Sequence, residues 1–223
     1  MKILFLMCVF VFLFGSMGAF AQGIYLEKGS NGFGGEVRVI LSEDGFEATK
    51  VAAGYSIAGI LDIGAGLTYT PGELEGYSSS DIRIAFDYRV NVLKQSVGVP
   101  LSLQIVGSYG FNDVTSAYLD DNNATRRGTG YTIGLNVARN FRVARFLLLH
   151  INLLVDYEST RYTNTGGTLA PEDHIGNLLY GGGGGFLYEF SKGQTLAIRA
   201  EVRADEDLSL QIHPVIGIAF PQN

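Results

Sequence analysis

Cysteine is almost missing from this chain. The single cysteine, Cys8, lies inside an apolar N-terminal run, so nothing beyond it can form a disulfide scaffold or a thiolate metal site. Tryptophan is absent, and charged residues make up only 17%, against roughly a quarter in ordinary soluble domains. Positive charge is the scarcer sign: 16 Lys and Arg stand against 22 Asp and Glu, a formal net charge of −6. That balance excludes the basic footprint of a nucleic-acid binder. No stretch beyond the N-terminus approaches the roughly 20 apolar residues of a membrane-spanning helix. What is present is glycine, 30 in all, with 12% aromatic and 47% hydrophobic residues. So apolar a chain is not disordered. Glycine and tyrosine in place of Ala, Glu, Lys and Leu exclude a coiled coil. The length of 223 residues suits one domain, including a single all-β barrel.

The N-terminus reads as an address. Lys2 supplies a positive start, Ile3 to Phe14 is unbroken apolar sequence, and Ala19-Phe20-Ala21 is a small-x-small cleavage site. The apolar run is shorter than the roughly 20 residues needed to span a bilayer as a helix. Residues 1–21 are therefore expected to be a signal peptide cleaved after Ala21, leaving residues 22–223 as one domain.

From Phe33 onward the apolar residues recur at every second position. In 208–220, Leu208, Leu210, Ile212, Pro214, Ile216, Ile218 and Phe220 alternate with Ser209, Gln211, His213, Val215, Gly217 and Ala219. An alternation this long is a strand with one apolar face. Similar runs fall at about 33–42, 48–58, 60–70, 81–93, 100–111, 130–142, 144–158, 177–190 and 195–203, which predicts ten strands. Eight is the alternative if two short runs merge into loops, and a further strand at Gly23–Glu27 stays open. The apolar faces of these runs hold two charged residues, Arg139 and Arg145, which flank a tight turn near 143 where long cationic chains can snorkel.

Two barrels have such strands. A soluble ligand-binding barrel buries its apolar face and covers its outside with charge. Here Lys28, Lys50, Lys94 and Lys192 are the only lysines beyond the leader, and the polar face is crowded with small residues such as Gly34, Gly54, Gly64, Gly66, Gly110 and Gly134. Small and charged residues suit a packed polar interior, and the apolar face suits lipid: the arrangement of a transmembrane β-barrel. With the first strand starting in the periplasm, the long connections near 71–79, 112–128 and 159–175 all fall outside. The short ones near 59, 94–99, 143 and 191–193 all fall in the periplasm, which is the expected asymmetry. Tyr69, Tyr109, Phe111, Tyr131, Tyr157 and Tyr180 then form an outer aromatic belt, and Phe33, Phe141, Phe186, Tyr188, Phe190 and Phe220 an inner one.

With its leader, alternating strands and closing run Ser209–Phe220, the chain resembles the small outer-membrane β-barrel proteins of double-membraned bacteria. The resemblance is architectural and covers nearly the whole mature chain. It implies an all-β, antiparallel up-and-down barrel in the cell outer membrane, with outer-membrane lipid as surroundings and the barrel-insertion machinery as a partner during biogenesis. In that family a terminal aromatic closes the last strand; here Pro221-Gln222-Asn223 follow Phe220.

The glycine run Gly181–Gly185 is not read as a phosphate loop, because Phe186 to Phe190 continue a strand where such a loop opens a helix. It is read as making room for lumen groups such as Arg199. Inward-pointing charges are expected at Glu36, Arg38, Arg83, Asp87, Arg89, Asp156, Glu158, Glu189, Arg199, Glu201 and Arg203. Buried charges must pair, and a barrel this narrow is filled by its side chains. A salt-bridged plug is the first reading, and a charged constriction lining a porin-like channel the second. His150 and His213 face the predicted lumen and His174 lies in a long loop beside Glu172 and Asp173. They do not converge on a metal. No nucleophile, base and orienting group converge either, so no metal, cofactor or enzymatic activity is expected, and a barrel-embedded hydrolase stands third after the plug and the channel. Lipid-hydrolysing barrels place a His and a Ser on the lipid side, an orientation the inward histidines do not have. A structural role in the envelope, or recognition through the outer loops with Tyr118, Asp120, Asp121, Arg126, Arg127, Arg161 and Tyr162 as candidates, is the remaining expectation.

Overall fold

The computed structural model describes residues 31–222 apart from 97, 167, 168, 192 and 193. The expected signal peptide and the further strand at Gly23–Glu27 lie outside the described residues. Ten strands follow in chain order: β1 (Asn31–Ser42), β2 (Gly45–Ile57), β3 (Leu61–Leu74), β4 (Tyr77–Leu93), β5 (Ser102–Ser116), β6 (Thr125–Ala144), β7 (Leu147–Thr165), β8 (Glu172–Ser191), β9 (Gln194–Ala204) and β10 (Leu210–Gln222). A one-turn helix, α1 (Ala117–Asp121), sits between β5 and β6. Each strand pairs antiparallel with its neighbours in sequence, and β1 pairs with β10, so the sheet closes into a barrel. Closure leaves no edge strand with unpaired backbone groups.

The predicted parity holds. Ile84, Phe86 and Val92 of β4, Ile151, Leu153 and Val155 of β7, and Ile216 of β10 face outward and are exposed, Leu153 at 67%. Alternating with them, Asn152, Asp156, Glu201 and His213 are buried inside. Aromatics stand at both rims of the apolar band. Tyr109 and Phe111 pack edge to face at 5.4 Å, and Tyr131 lies 6.1 Å from Tyr157. At the other rim Phe33 packs on Tyr55 at 4.7 Å. Arg139 lies 4.5 Å from the Phe141 ring centre and Arg145 lies 5.0 Å from that of Phe146, so each cation covers an aromatic at that rim.

The connections differ from expectation. The tight turn after β6 is at Arg145-Phe146, since Ala144 pairs with Leu147, rather than near 143. The final strand starts at Leu210, not Leu208. The Asp205 carboxylate accepts from the backbone amides of Asp207 and Ser209 (3.0 and 2.9 Å) and ties the residues before it into a turn. The largest correction concerns the segments expected to be long outer loops. In 71–79 the strands run on to a two-residue hairpin, with Leu74 paired to Tyr77 and both Glu75 and Gly76 at positive φ. This is the backbone of a type I′ turn, which Gly76 adopts at no steric cost. In 112–128, β5 continues to Ser116, whose side chain caps α1 by accepting from the Tyr118 amide at 3.3 Å, and β6 begins at Thr125. In 159–175, β7 runs to Thr165 and β8 starts at Glu172. Above the outer belt the outward face meets water instead of lipid, so the apolar alternation fades there while the ladder of backbone hydrogen bonds continues.

Candidate functional site

The lumen gathers six of the predicted charges into one cluster. Glu36 of β1 accepts from Arg38 and from Arg199, each at 3.2 Å. Glu201 of β9 accepts from Arg199 at 3.2 Å, Arg203 at 3.0 Å and Arg38 at 3.4 Å. Arg203 also reaches Asp156 of β7 at 2.9 Å. Three guanidiniums thus meet three carboxylates. All six side chains are buried or nearly so, a condition under which charge is held only by full pairing.

Glycine makes this packing feasible. Gly181, Gly183 and Gly185 of β8 are registered opposite Arg203, Glu201 and Arg199. A Cβ on Gly183 would stand 2.8 Å from the Glu201 Cα and 2.9 Å from its Cγ. The missing side chains leave β9 its space, as expected for the glycine run. A second pair crosses from strand to strand in the same way. Lys50 of β2 donates to Asp87 of β4 at 2.9 Å, passing over Gly66 of the intervening β3. A Cβ on Gly66 would lie 2.9 Å from the Lys50 Cε and 3.0 Å from an Asp87 oxygen. Arg83 donates to Ser108 at 3.2 Å. Arg89 and Glu158 face the lumen cavity, half-buried. Glu189 stands apart from the cluster: it pairs with Arg142 at 3.3 Å, close to the Arg145-Phe146 turn.

Two different surfaces occupy the two halves of the lumen. Val215, fully buried, lies level with the cluster, registered with Arg38 and Arg199, while toward the periplasmic ends Gln104, His150, Leu187 and Ser56 are fully buried as well. An amide chain runs round this level: Gln104 donates to Asn91, Asn136 donates to Gln104 at 2.8 Å and Asn152 donates to Asn136 at 3.3 Å. His150 Nδ1 donates to Asn140 at 2.7 Å. A cavity of about 490 Å³ runs past the charged cluster, from Lys50, Arg83, Asp87 and Tyr162 on the outer side to Asp62, Asn136 and Asn152 at the level of the amide chain. The Tyr162 hydroxyl of β7 donates across to Asp81 of β4 at 2.5 Å, and Asn112 of β5 donates to the same carboxylate at 2.9 Å. Above the belt, burial and that hydrogen bond to Asp81 push the Tyr162 hydroxyl above its ordinary pKa. Nothing in the sequence pattern marked Asp81 and Tyr162 as partners, because they stand on strands that are not neighbours.

The outer-loop candidates divide. Tyr118, Asp120 and Asp121 lie on α1, with the Tyr118 ring 6.0 Å from Tyr77. Arg126, Arg127, Arg161 and Tyr162 are on strands instead of loops. Arg126 faces inward, 2.7 Å from Asp173 and 4.4 Å from the Tyr162 ring centre. Arg127 pairs with Asp113 at 3.4 Å, and Arg161 with Glu172. His174 is likewise on a strand: it sits on β8, and its Nε2 lies 2.9 Å from the Ser159 hydroxyl of β7. Parity could have placed His174 on the outer face with Leu178 and Tyr180. Pairing it with Ser159 needed the register across the β7–β8 connection. Among the described residues no group of three or more His, Cys, Asp or Glu stands together to hold a metal ion.

No family model and no curated protein matches the sequence. Solved structures do match in shape. The translocator domain of the autotransporter NalP from Neisseria meningitidis superposes with a TM-score of 0.53 at 12% identity, covering 87% of this chain and 89% of that one. The beta domain of the Bordetella autotransporter BrkA gives a TM-score of 0.46 at 12% identity, over 88% and 100% of the two chains. At such identity the NalP likeness is one of fold. Together with the closed ten-strand sheet, its outward apolar band and its paired interior charges, it gives this chain the fold of the outer-membrane β-barrels.

Proposed function

We propose that the chain is an integral outer-membrane protein whose lumen does not conduct, and that it acts at the cell surface through its polar outer rim. The observation carrying this reading is the double filling of the lumen: the six-residue ion cluster, and below it a level of fully buried side chains tied by amide hydrogen bonds. Breaking such a level to pass solutes would strand buried polar groups, each costing about 1–3 kcal/mol. The outer ends of β5 to β8 rise above the aromatic belt as paired strands crosslinked by Arg126–Asp173, Arg127–Asp113 and Arg161–Glu172. A rim stiffened in this way suits adhesion or recognition, because less order must be gained on binding. Outer-membrane lipid surrounds the band, and the barrel-insertion machinery acts during biogenesis. Cleavage after Ala21 belongs to the same proposal.

A narrow porin-like channel is the second reading. The cavity of about 490 Å³, with Arg83, Asp87 and Lys50 on its wall, favours it. Single-channel recording separates the two. The exported chain, purified from membranes and inserted in a planar bilayer, is expected to stay silent while running on a gel as a folded, heat-modifiable barrel. Steady, salt-dependent openings from that material would overturn the first reading in favour of the second.

A further inference from the structure

The outer wall of the barrel carries a second site, separate from the lumen. Beyond Tyr157 the outward positions of β7 are Ser159 and Arg161. Ser159 is registered with the belt residue Tyr131 on one side and Gly176 on the other, and Arg161 with His174. The Ser159 hydroxyl and the His174 Nε2 are 2.9 Å apart. Ser159 is buried while His174 is exposed. A cavity of about 300 Å³ opens on this wall, lined by Tyr109, Tyr131, Thr129, Ser159, Arg161 and His174. A hydroxyl in hydrogen-bond reach of an imidazole is the core of an activated nucleophile.

We propose that Ser159 and His174 form a nucleophile–base pair that hydrolyses acyl esters of outer-leaflet lipids. The proposal rests on the membrane placement above, and depth is its first argument. Ser159 lies two residues past Tyr157, a rise of roughly 5 Å along a tilted strand, so the pair stands just above the belt that marks the interface. Lipid ester groups join headgroup to acyl chain at that level. The cavity wall matches such a substrate: the rings of Tyr109 and Tyr131 line it beside Ser159 and His174.

The chemistry balances with water as the only co-reactant. With the ring proton on Nδ1, His174 Nε2 takes the Ser159 proton as Oγ bonds to the ester carbonyl carbon. The carbon–oxygen bond to the lipid alcohol breaks, and that oxygen receives the proton back from Nε2. Water then attacks the acyl-serine, His174 again accepting and returning a proton, which releases a fatty acid and restores Ser159.

The test uses the full exported chain in mixed micelles, in two arms. One contains dioleoylphosphatidylcholine with dioleoylphosphatidylglycerol, and the other hexa-acylated lipid A; released fatty acid is the readout. Fatty acid from either arm, together with a fluorophosphonate adduct on Ser159, is expected, and the arm that responds identifies the lipid. Ser159→Ala should abolish both signals. His174→Gln keeps a side-chain hydrogen bond to Ser159 but supplies no base, so it should lower release by roughly 10²–10⁴-fold. The same samples are run unheated on a gel. Folded barrel with neither adduct nor fatty acid in both arms overturns the dyad, as does release that survives Ser159→Ala. A chain that never shows heat-modifiable mobility in these micelles overturns the membrane placement instead.

Discussion

Glu201 is the keystone of the lumen cluster, and removing its charge should be costly. Its two oxygens receive Arg203 at 3.0 Å, Arg199 at 3.2 Å and Arg38 at 3.4 Å. The residue is 3% exposed. Glu201→Gln keeps the volume and leaves three guanidiniums facing only the carboxylates of Glu36 and Asp156. Breaking a buried ion pair from one side costs about 3–5 kcal/mol. The adjoining cavity admits water to the Arg38 and Arg203 side of the cluster, so the expected loss is near the lower end, about 3 kcal/mol. Adding Arg199→Gln returns the cluster to two cations and two anions. The double variant should therefore recover at least about 1 kcal/mol over the sum of the single changes, as coupled neighbours do. The assay is reversible urea unfolding in phospholipid vesicles. Folded fraction is read from unheated gel mobility and tyrosine fluorescence, since the chain has no tryptophan. A single-variant loss below about 1 kcal/mol would refute the argument, because the cluster would then be as well solvated as a surface pair. Strict additivity in the double variant would refute it equally.

Two further outcomes test the parity and the role of glycine. Ile216→Arg on the apolar face (59% exposed) should cost about 2–4 kcal/mol in vesicle refolding if it lies near the bilayer midplane. The lumen change Asn152→Ser should cost less than half as much, and equal effects would contradict the assigned faces. Gly66→Val should displace the Lys50–Asp87 pair and cost about 1–3 kcal/mol by overpacking. Gly72→Val is the control, because a Cβ there meets only the Ser79 hydroxyl, at 3.5 Å. Matching urea midpoints for the two variants would contradict the space-making role of Gly66.

The period-two pattern determined more about this protein than any motif. Strand number, parity and the positions of both aromatic belts follow from where apolar residues fall. One face must be apolar to lie against hydrocarbon and the other must pair its charges, and a period of two is local enough to read from a single chain. The inward placement of Glu36, Arg38, Arg199, Glu201 and Arg203 was legible for that reason, as was the space that Gly185 leaves for Arg199. Above the belt the same logic ended. Water in place of lipid on the outer face removes the alternation, so in the sequence the outer halves of β5 to β8 read as loops carrying Arg126, Arg161, Tyr162 and His174. Backbone pairing continued there without a side-chain signature, guided by the register that the membrane-level strands had already set.

Register and closure belonged to the tertiary structure alone. Which carboxylate meets which guanidinium depends on strands far apart in sequence, as when Glu36 of β1 meets Arg199 of β9 across β10. The same holds for Tyr162 and Asp81, joined over two intervening strands, and for Ser159 and His174, joined across one connection. Sequence determined which face each side chain takes, because that is a property of successive residues. Partners were decided only when ten strands closed in one register, because a one-residue slip in any pair would send every side chain of that strand to the opposite face.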